Sequence, residues 1–170
     1  MAVFLEVPGL KREDEFLAAV RQSRSLHQGF VSPPGTPQQY RAYLARLEQP
    51  THLGYLVCLP NDELAGVINL NEIVRGAFKS AYLGYYAFAP HHGRGNMAAG
   101  LRLVLRRAFK THRLHRLEAN IQPNNRSSIA LVRRLGFTKE GFSPRYLKIS
   151  GRWRSHQRWA LTIEDWIPRA

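Results

Sequence analysis

Residues Tyr82 to His112 constrain this chain more than any other stretch. They read as a strand (Tyr82-Leu83-Gly84-Tyr85-Tyr86-Ala87-Phe88), a turn (Pro90-His91-His92-Gly93-Arg94-Gly95) and a helix. In the helix Met97, Leu101, Val104, Leu105 and Ala108 recur at the helical period and mark a face turned to a core. Arg102, Arg106, Lys110 and Arg113 take the other face. A strand that feeds a Gly-x-Gly turn at a helix start aims backbone N–H groups and the positive end of the helix dipole at one point. That point suits a phosphate or pyrophosphate. Glycine belongs there because a side chain would block close approach.

The turn is open to several meanings. No Gly-Lys-Ser/Thr follows it, so it is not a Walker phosphate loop. Gly93, Gly95 and Ala98 match Gly-x-Gly-x-x-Ala, and Glu118 lies about twenty residues on, as in a dinucleotide fingerprint. Too little chain remains, however, for the further strand–helix repeats such a domain needs. The pyrophosphate loop of an acyl-CoA binder and an ordinary strand–helix turn both fit the pattern.

The length of 170 residues predicts one domain, residues 1–170, with a proper core. No apolar run approaches a membrane span, and the start, Met1 to Glu6, is too short and too quickly charged for a signal peptide. The expectation is a cytoplasmic protein. Cys58 is the single cysteine, which excludes an internal disulfide and a Cys-based zinc site. It sits in the apolar run Tyr55 to Leu59 and reads as a buried small apolar residue. His91-His92 and His112 with His115 lack a carboxylate or cysteine at ligand spacing, so no metal is expected. Lys and Arg number 25 against 12 Asp and Glu, a net charge of +13. Such a field attracts polyanions: RNA, the ribosome, acidic proteins or phosphate-rich cofactors.

Along the chain, strands are expected at Val3–Val7, His52–Pro60, Glu63–Val74, Phe78–Phe88, His115–Gln122, Thr138–Ile149 and Arg152–Thr162. Helices are expected at Lys11–Ser23, Gln38–Leu47 (with Thr36 as N-cap and Pro37 at the first helical position), from the central turn, and at Asn125–Leu135 before Gly136. Short turns make the second to fourth strands antiparallel neighbours. In the last strand Trp153, Ser155, Gln157, Trp159 and Leu161 share one face, which reads as core. The fold class is α/β with a mixed, mostly antiparallel sheet of about seven strands and about four helices.

Several motifs in order resemble the GNAT N-acetyltransferases, and within them the RimJ/RimL-type branch that acetylates ribosomal-protein alanines. They are His92-Gly93-Arg94-Gly95-Asn96-Met97, Pro123-Asn124-Asn125-Arg126-Ser127-Ser128, Leu135-Gly136-Phe137 and Glu140-Gly141. Asn71 to Phe78, Tyr82 to Tyr85 and Tyr146 to Arg154 look like that branch in particular, and the likeness runs from about Leu53 to Trp166. The resemblance implies a GNAT fold and acetyl-CoA as cosubstrate, without a metal. It implies that the pantetheine arm lies beside the strand at Ala87 and Phe88. The pyrophosphate would be held by His92, Gly93, Arg94, Gly95, Asn96 and Met97, with Asn125 as a further contact. Ser128 would supply the proton for the leaving sulfur. On their own, Asn125 and Ser128 also read as an N-cap and an ordinary first-turn serine.

The chain departs from the family pattern in places. Met97 stands where a glycine or alanine is usual, His92 where Gln or Arg is, and Val132 where many members carry an acidic tyrosine. No motif marks a general base. Glu118 and Glu72 are candidates, and a water chain is another, since an N-terminal amine has a pKa of about 8. The expected acceptor is a protein N-terminus, ribosomal above all. A small amine is the alternative within the enzyme class. A basic RNA- or ribosome-binding module, using Arg152-Trp153-Arg154 and Arg158-Trp159, is the alternative outside it. Oligomeric state is left open.

Overall fold

Three antiparallel strands joined by tight turns, then a strand–helix–strand crossover, build one seven-stranded sheet in the computed structural model, which describes residues 2–167. The strands are β1 (Phe4–Glu6), β2 (Leu53–Cys58), β3 (Leu64–Val74), β4 (Ser80–Ala87), β5 (Arg116–Ile121), β6 (Thr138–Ile149) and β7 (Arg152–Thr162). Their spatial order is β1-β2-β3-β4-β5-β7-β6. Every pairing is antiparallel except β4–β5. The helices are α1 (Glu13–Gln22), a four-residue α2 (Arg24–His27), α3 (Pro37–Leu47), α4 (Asn96–Arg106) and α5 (Arg126–Arg134). A helix connection between β4 and β5 is what makes that one pair parallel.

The sheet is covered on both faces. Leu101, Val104, Leu105 and Ala108 of the α4 segment and Val132 of α5 pack on one face, against Val57, Ile68, Leu70, Leu117 and Ile121. Phe16, Leu17 and Val20 of α1 and Tyr40 and Tyr43 of α3 pack on the other, against Leu56, Cys58, Leu64, Val67 and Phe88. Hence Leu64 to Leu70 of β3 are buried without alternation: a central strand with both faces covered has no polar side. Arg12 ties the amino-terminal part to the sheet. Its guanidinium meets Glu6 (2.9 Å), Glu15 (2.7 Å) and Asp62 (2.5 Å), joining β1, α1 and the β2–β3 turn.

Several expectations shift. The helix expected at Lys11 begins as a 3-10 turn, Leu10–Arg12, and turns α-helical at Glu13. α2 was not anticipated, because four residues are too few to show a period. Thr36 does cap α3, accepting from the Gln39 N–H at 3.2 Å. The two tryptophans of β7 part company: Trp159 is 7% exposed and Trp153 61%. β7 pairs with β5 only as far as Gln157↔Ile121, so residues 152–156 run past the end of β5 with β6 as their one neighbouring strand. His156, on the β7 face opposite Trp159, is buried, its Nδ1–H donating to the Arg154 carbonyl at 2.9 Å.

Candidate active site

β4 and β5 pair through three rungs and then separate. The rungs are Ser80↔Arg116, Ala81↔Leu117 and Tyr82↔Glu118. Beyond Tyr82, β4 continues beside β3 while β5 continues beside β7. The Phe88 N–H points to β3, where it meets the Ala65 carbonyl at 2.8 Å. By the alternation of an antiparallel ladder, the backbone groups of Leu83, Tyr85 and Ala87 point the other way, into the gap. A backbone edge without a partner strand accepts an extended ligand as an added strand.

The gap opens onto the start of α4. The first intrahelical bond there is from the Ala99 N–H to the Gly95 carbonyl, so the N–H groups of Asn96, Met97 and Ala98 have no acceptor in the helix. Gly93 (φ +73°) and Gly95 (φ +82°) both lie in the left-handed region that disfavours side chains. A Cβ on either would meet nothing within 4 Å, so the turn presents bare backbone to open space. The cleft has a volume of about 420 Å³ and includes His27, Phe30, Tyr85, Ala87, Gly93 and Met97 in its walls. Its ionisable lining is His27, His91, His92, Arg134 and the two tyrosines Tyr85 and Tyr86, with no carboxylate. A concave site with orphan N–H groups and basic side chains fits a phosphate-bearing ligand.

The expected site residues divide. Ala87, His92, Gly93, Gly95, Asn96, Met97, Asn125 and Ser128 all line the cleft. Arg94 is exposed and does not. The Asn96 side chain turns inward, its Nδ2 donating to the His91 carbonyl at 3.1 Å and its Oδ1 buried without a partner among the described residues. The Met97 side chain turns toward β3. Its sulfur fills the space over Gly66, where a Cβ would also lie 2.7 Å from the Tyr86 carbonyl oxygen. Phe88 is fully buried in the α1–α3 core, and its carbonyl is taken by the His91 N–H at 3.0 Å. Asn125 caps α5, accepting from the Ser128 N–H at 3.3 Å and the Ser127 hydroxyl at 3.2 Å, which leaves its Nδ2 for the cleft.

Glu118 stands at the last rung before the gap, on the face opposite Ser128. Leu117, Ala119 and Ile121 face α4 and α5, so Arg116, Glu118 and Asn120 face the other side. The Glu118 carboxylate accepts from Arg116 Nε at 2.8 Å, and the same guanidinium grips Glu140. Glu72 is exposed and 3.6 Å from His52. Cys58 is buried, and burial pushes its thiol up to about 11. The remaining histidines make separate contacts: His112 with Tyr55, His115 with Glu164 and His91 with Glu63.

Of the ionisable lining groups, His27, His91, Arg134, Tyr85 and Tyr86 are not among the expected site residues. Arg134, the last residue of α5, reaches the cleft from the helix face that carries Ser127 and Leu131, an i, i+4, i+7 spacing that is visible once the helix is known. His27 arrives from α2. Its Nε2–H donates to the Ala87 carbonyl at 2.7 Å, closing one end of the open edge. Its Nδ1 is then a buried lone pair without a partner among the described residues.

Burial holds the His27 pKa below its ordinary value, and burial with Arg75 and Arg107 does the same for His112. A histidine depressed in the fold binds its proton more readily in the unfolded chain. Its stabilisation is therefore complete above the ordinary value of 6.5 and is lost as pH falls toward the folded value. Denaturant midpoints are expected to be level above about pH 7 and to fall below about 6.5, less steeply in His27→Gln.

The comparisons with known proteins converge. The sequence model of the Acetyltransferase (GNAT) domain matches residues 5–138. The ribosomal protein uS5-alanine N-acetyltransferase of Escherichia coli K12 is 43% identical over 106 residues, 62% of this chain and 55% of that protein. The match thus spans about half the length of that relative. The probable N-acetyltransferase YjcK of Bacillus subtilis is 36% identical over 138 residues, 80% of this chain and 76% of that protein. Mycobacterium smegmatis RimJ in complex with CoA-disulfide superposes with a TM-score of 0.87 at 26% identity, over 99% of this chain and 85% of that one. A domain model matched over most of the chain, with a relative 36% identical over 80% of it, shows that the chain belongs to the GNAT acetyltransferase family.

Proposed function

We propose that the protein transfers the acetyl group of acetyl-CoA to a primary amine, and that the amine is the N-terminal alanine or serine of a protein, ribosomal in the first instance. The observation that carries the reading is the β4–β5 gap running onto the α4 N-terminus. It combines a strand-like berth for an arm with an anion site for its phosphates. Acetyl-CoA supplies an activated thioester carbonyl and a sulfur able to leave with an electron pair.

The roles of this chain's residues follow from their places. The N–H groups of Asn96, Met97 and Ala98, with those of the Gly93–Gly95 turn, hold phosphate oxygens, and Arg134 and His92 add positive or donor groups at the rim. The backbone groups of Tyr85 and the Ala87 N–H align the arm, the Ala87 carbonyl being held by His27. Ser128, on the α5 face of the gap, donates a hydrogen bond to the leaving sulfur, whose final proton balances the one the amine loses. Glu118, at the apex on the other face, receives a proton from the attacking amine. Because that amine titrates near about pH 8, little basicity is required of the carboxylate. The similarity to the uS5-alanine enzyme supports a protein N-terminus as acceptor. The net charge of +13 supports an acceptor presented beside RNA and disfavours a polycationic amine.

The test is release of CoA thiol with an alanine-initiated peptide, a serine-initiated peptide or spermidine as acceptor. Peptide turnover is expected, with kcat about a hundredfold lower in Ser128→Ala. Turnover with spermidine alone would make this a small-amine enzyme. A second reading, a basic nucleic-acid-binding module, rests on one feature. Trp153 is 61% exposed between Arg152 and Arg154, in a hairpin that also carries Arg145, Lys148 and Arg158 and no acidic residue from 141 to 163. Salt-dependent RNA binding with no acetyl-CoA turnover would favour it.

A further inference from the structure

Tyr85 projects from β4 into the cleft, and its hydroxyl lies 2.5 Å from the Ser128 hydroxyl on α5. The distance is at the short end for two oxygens sharing a hydrogen. Among the described residues neither oxygen has another hydrogen-bond partner, and Ser128 does not bond back to the Asn124 carbonyl as helical serines often do. One of the two hydroxyls must donate. A phenol is a stronger acid than an aliphatic alcohol, so Tyr85 donates and Ser128 accepts. Burial pushes the Tyr85 phenol up to about 12, so it keeps its hydrogen at working pH. The Ser128 hydrogen then has no protein acceptor, and the cleft is the space beside it.

We infer that Tyr85 is the positioning residue for Ser128, holding the serine hydroxyl in the one orientation that presents its hydrogen to the cleft. The inference rests on the proposed transfer reaction. In that reaction the amine nitrogen bonds the carbonyl carbon, the C–S bond breaks and its electron pair goes to sulfur. Ser128 hydrogen-bonds that sulfur. The proton the sulfur finally keeps matches the one the amine lost, so none is drawn from Tyr85. The helix tyrosine that other family members carry is here Val132, fully buried in the core.

The test is a double-mutant cycle with Tyr85→Phe and Ser128→Ala, using acetyl-CoA and an alanine-initiated peptide. Tyr85→Phe keeps the ring and removes only the hydroxyl. It is expected to lower kcat about tenfold with the KM for acetyl-CoA unchanged, and to have no further effect when Ser128 is already alanine. An equal loss in both backgrounds, or a change in KM alone, overturns the inference. If Ser128→Ala keeps the wild-type kcat, the reading of Ser128 as donor fails first and the inference fails with it. The contact itself is read without turnover. In protein carrying isotope-labelled tyrosine, the Tyr85 ring resonance is expected to move on Ser128→Ala. A resonance that stays in place overturns the inference even if no acceptor is ever turned over.

Discussion

Replacing Gly95 with glutamate is expected to lower the affinity for acetyl-CoA at least about a hundredfold while the protein stays folded. Gly95 sits at φ +82°, and a residue with a Cβ there is strained by roughly 1–2 kcal/mol. That strain is partly offset, because a carboxylate near a helix N-terminus gains about 0.3–1 kcal/mol from the orphan N–H groups. The same carboxylate excludes the ligand. The space beside Gly95 is open, and a side chain filling it would place a negative charge where a phosphate oxygen would approach. Calorimetric titration with acetyl-CoA reads the affinity, and thermal unfolding shows that the fold survives. Undiminished affinity would mean that the turn is not the phosphate site.

Phe88→Ala is expected to cost about 3–5 kcal/mol of stability, the range for a large aromatic truncated in a closed core. Phe88 has no exposed surface. Its ring meets Phe16 edge-on at 5.6 Å and Tyr86 at 5.8 Å, and packs against His27 at 6.2 Å. It therefore joins α1 and α2 to the residue from which the turn departs. The resemblance placed Phe88 beside the cofactor arm, yet both its backbone groups are spent, on Ala65 and His91. A denaturant midpoint that falls with an unchanged slope is the expected signature. Loss of acetyl-CoA affinity without loss of stability would instead make Phe88 a direct ligand.

The parts legible in the sequence are those with a local signal. The α4 face follows from its period, the cap of α3 from Thr36-Pro37, and the bare turn before α4 from two glycines between a strand and a helix. Long-range pairing leaves no such trace. Nothing in Arg152 to Thr162 announces that β7 inserts between β5 and β6, and so nothing announces that Trp153 overshoots the covered sheet while Trp159 does not. Which backbone edge of β4 stays free depends on where β5 leaves, at Glu118. His27 and Arg134 were missed because each belongs to the site through a neighbouring element rather than through a motif. The pairing of Glu118 with Arg116, two residues away in a strand, is the kind of contact the spacing allows without requiring.

On the proposed function, the β4–β5 gap and the α4 N-terminus together form an acyl-CoA site. The most direct measurement is a calorimetric titration of the unmodified protein with acetyl-CoA at low and at moderate salt. Saturable one-to-one binding that persists at moderate salt is predicted, because orphan N–H groups and a strand edge in a cleft are screened little. Binding that is absent, or that disappears with added salt as it would for a diffuse basic surface, would contradict the account.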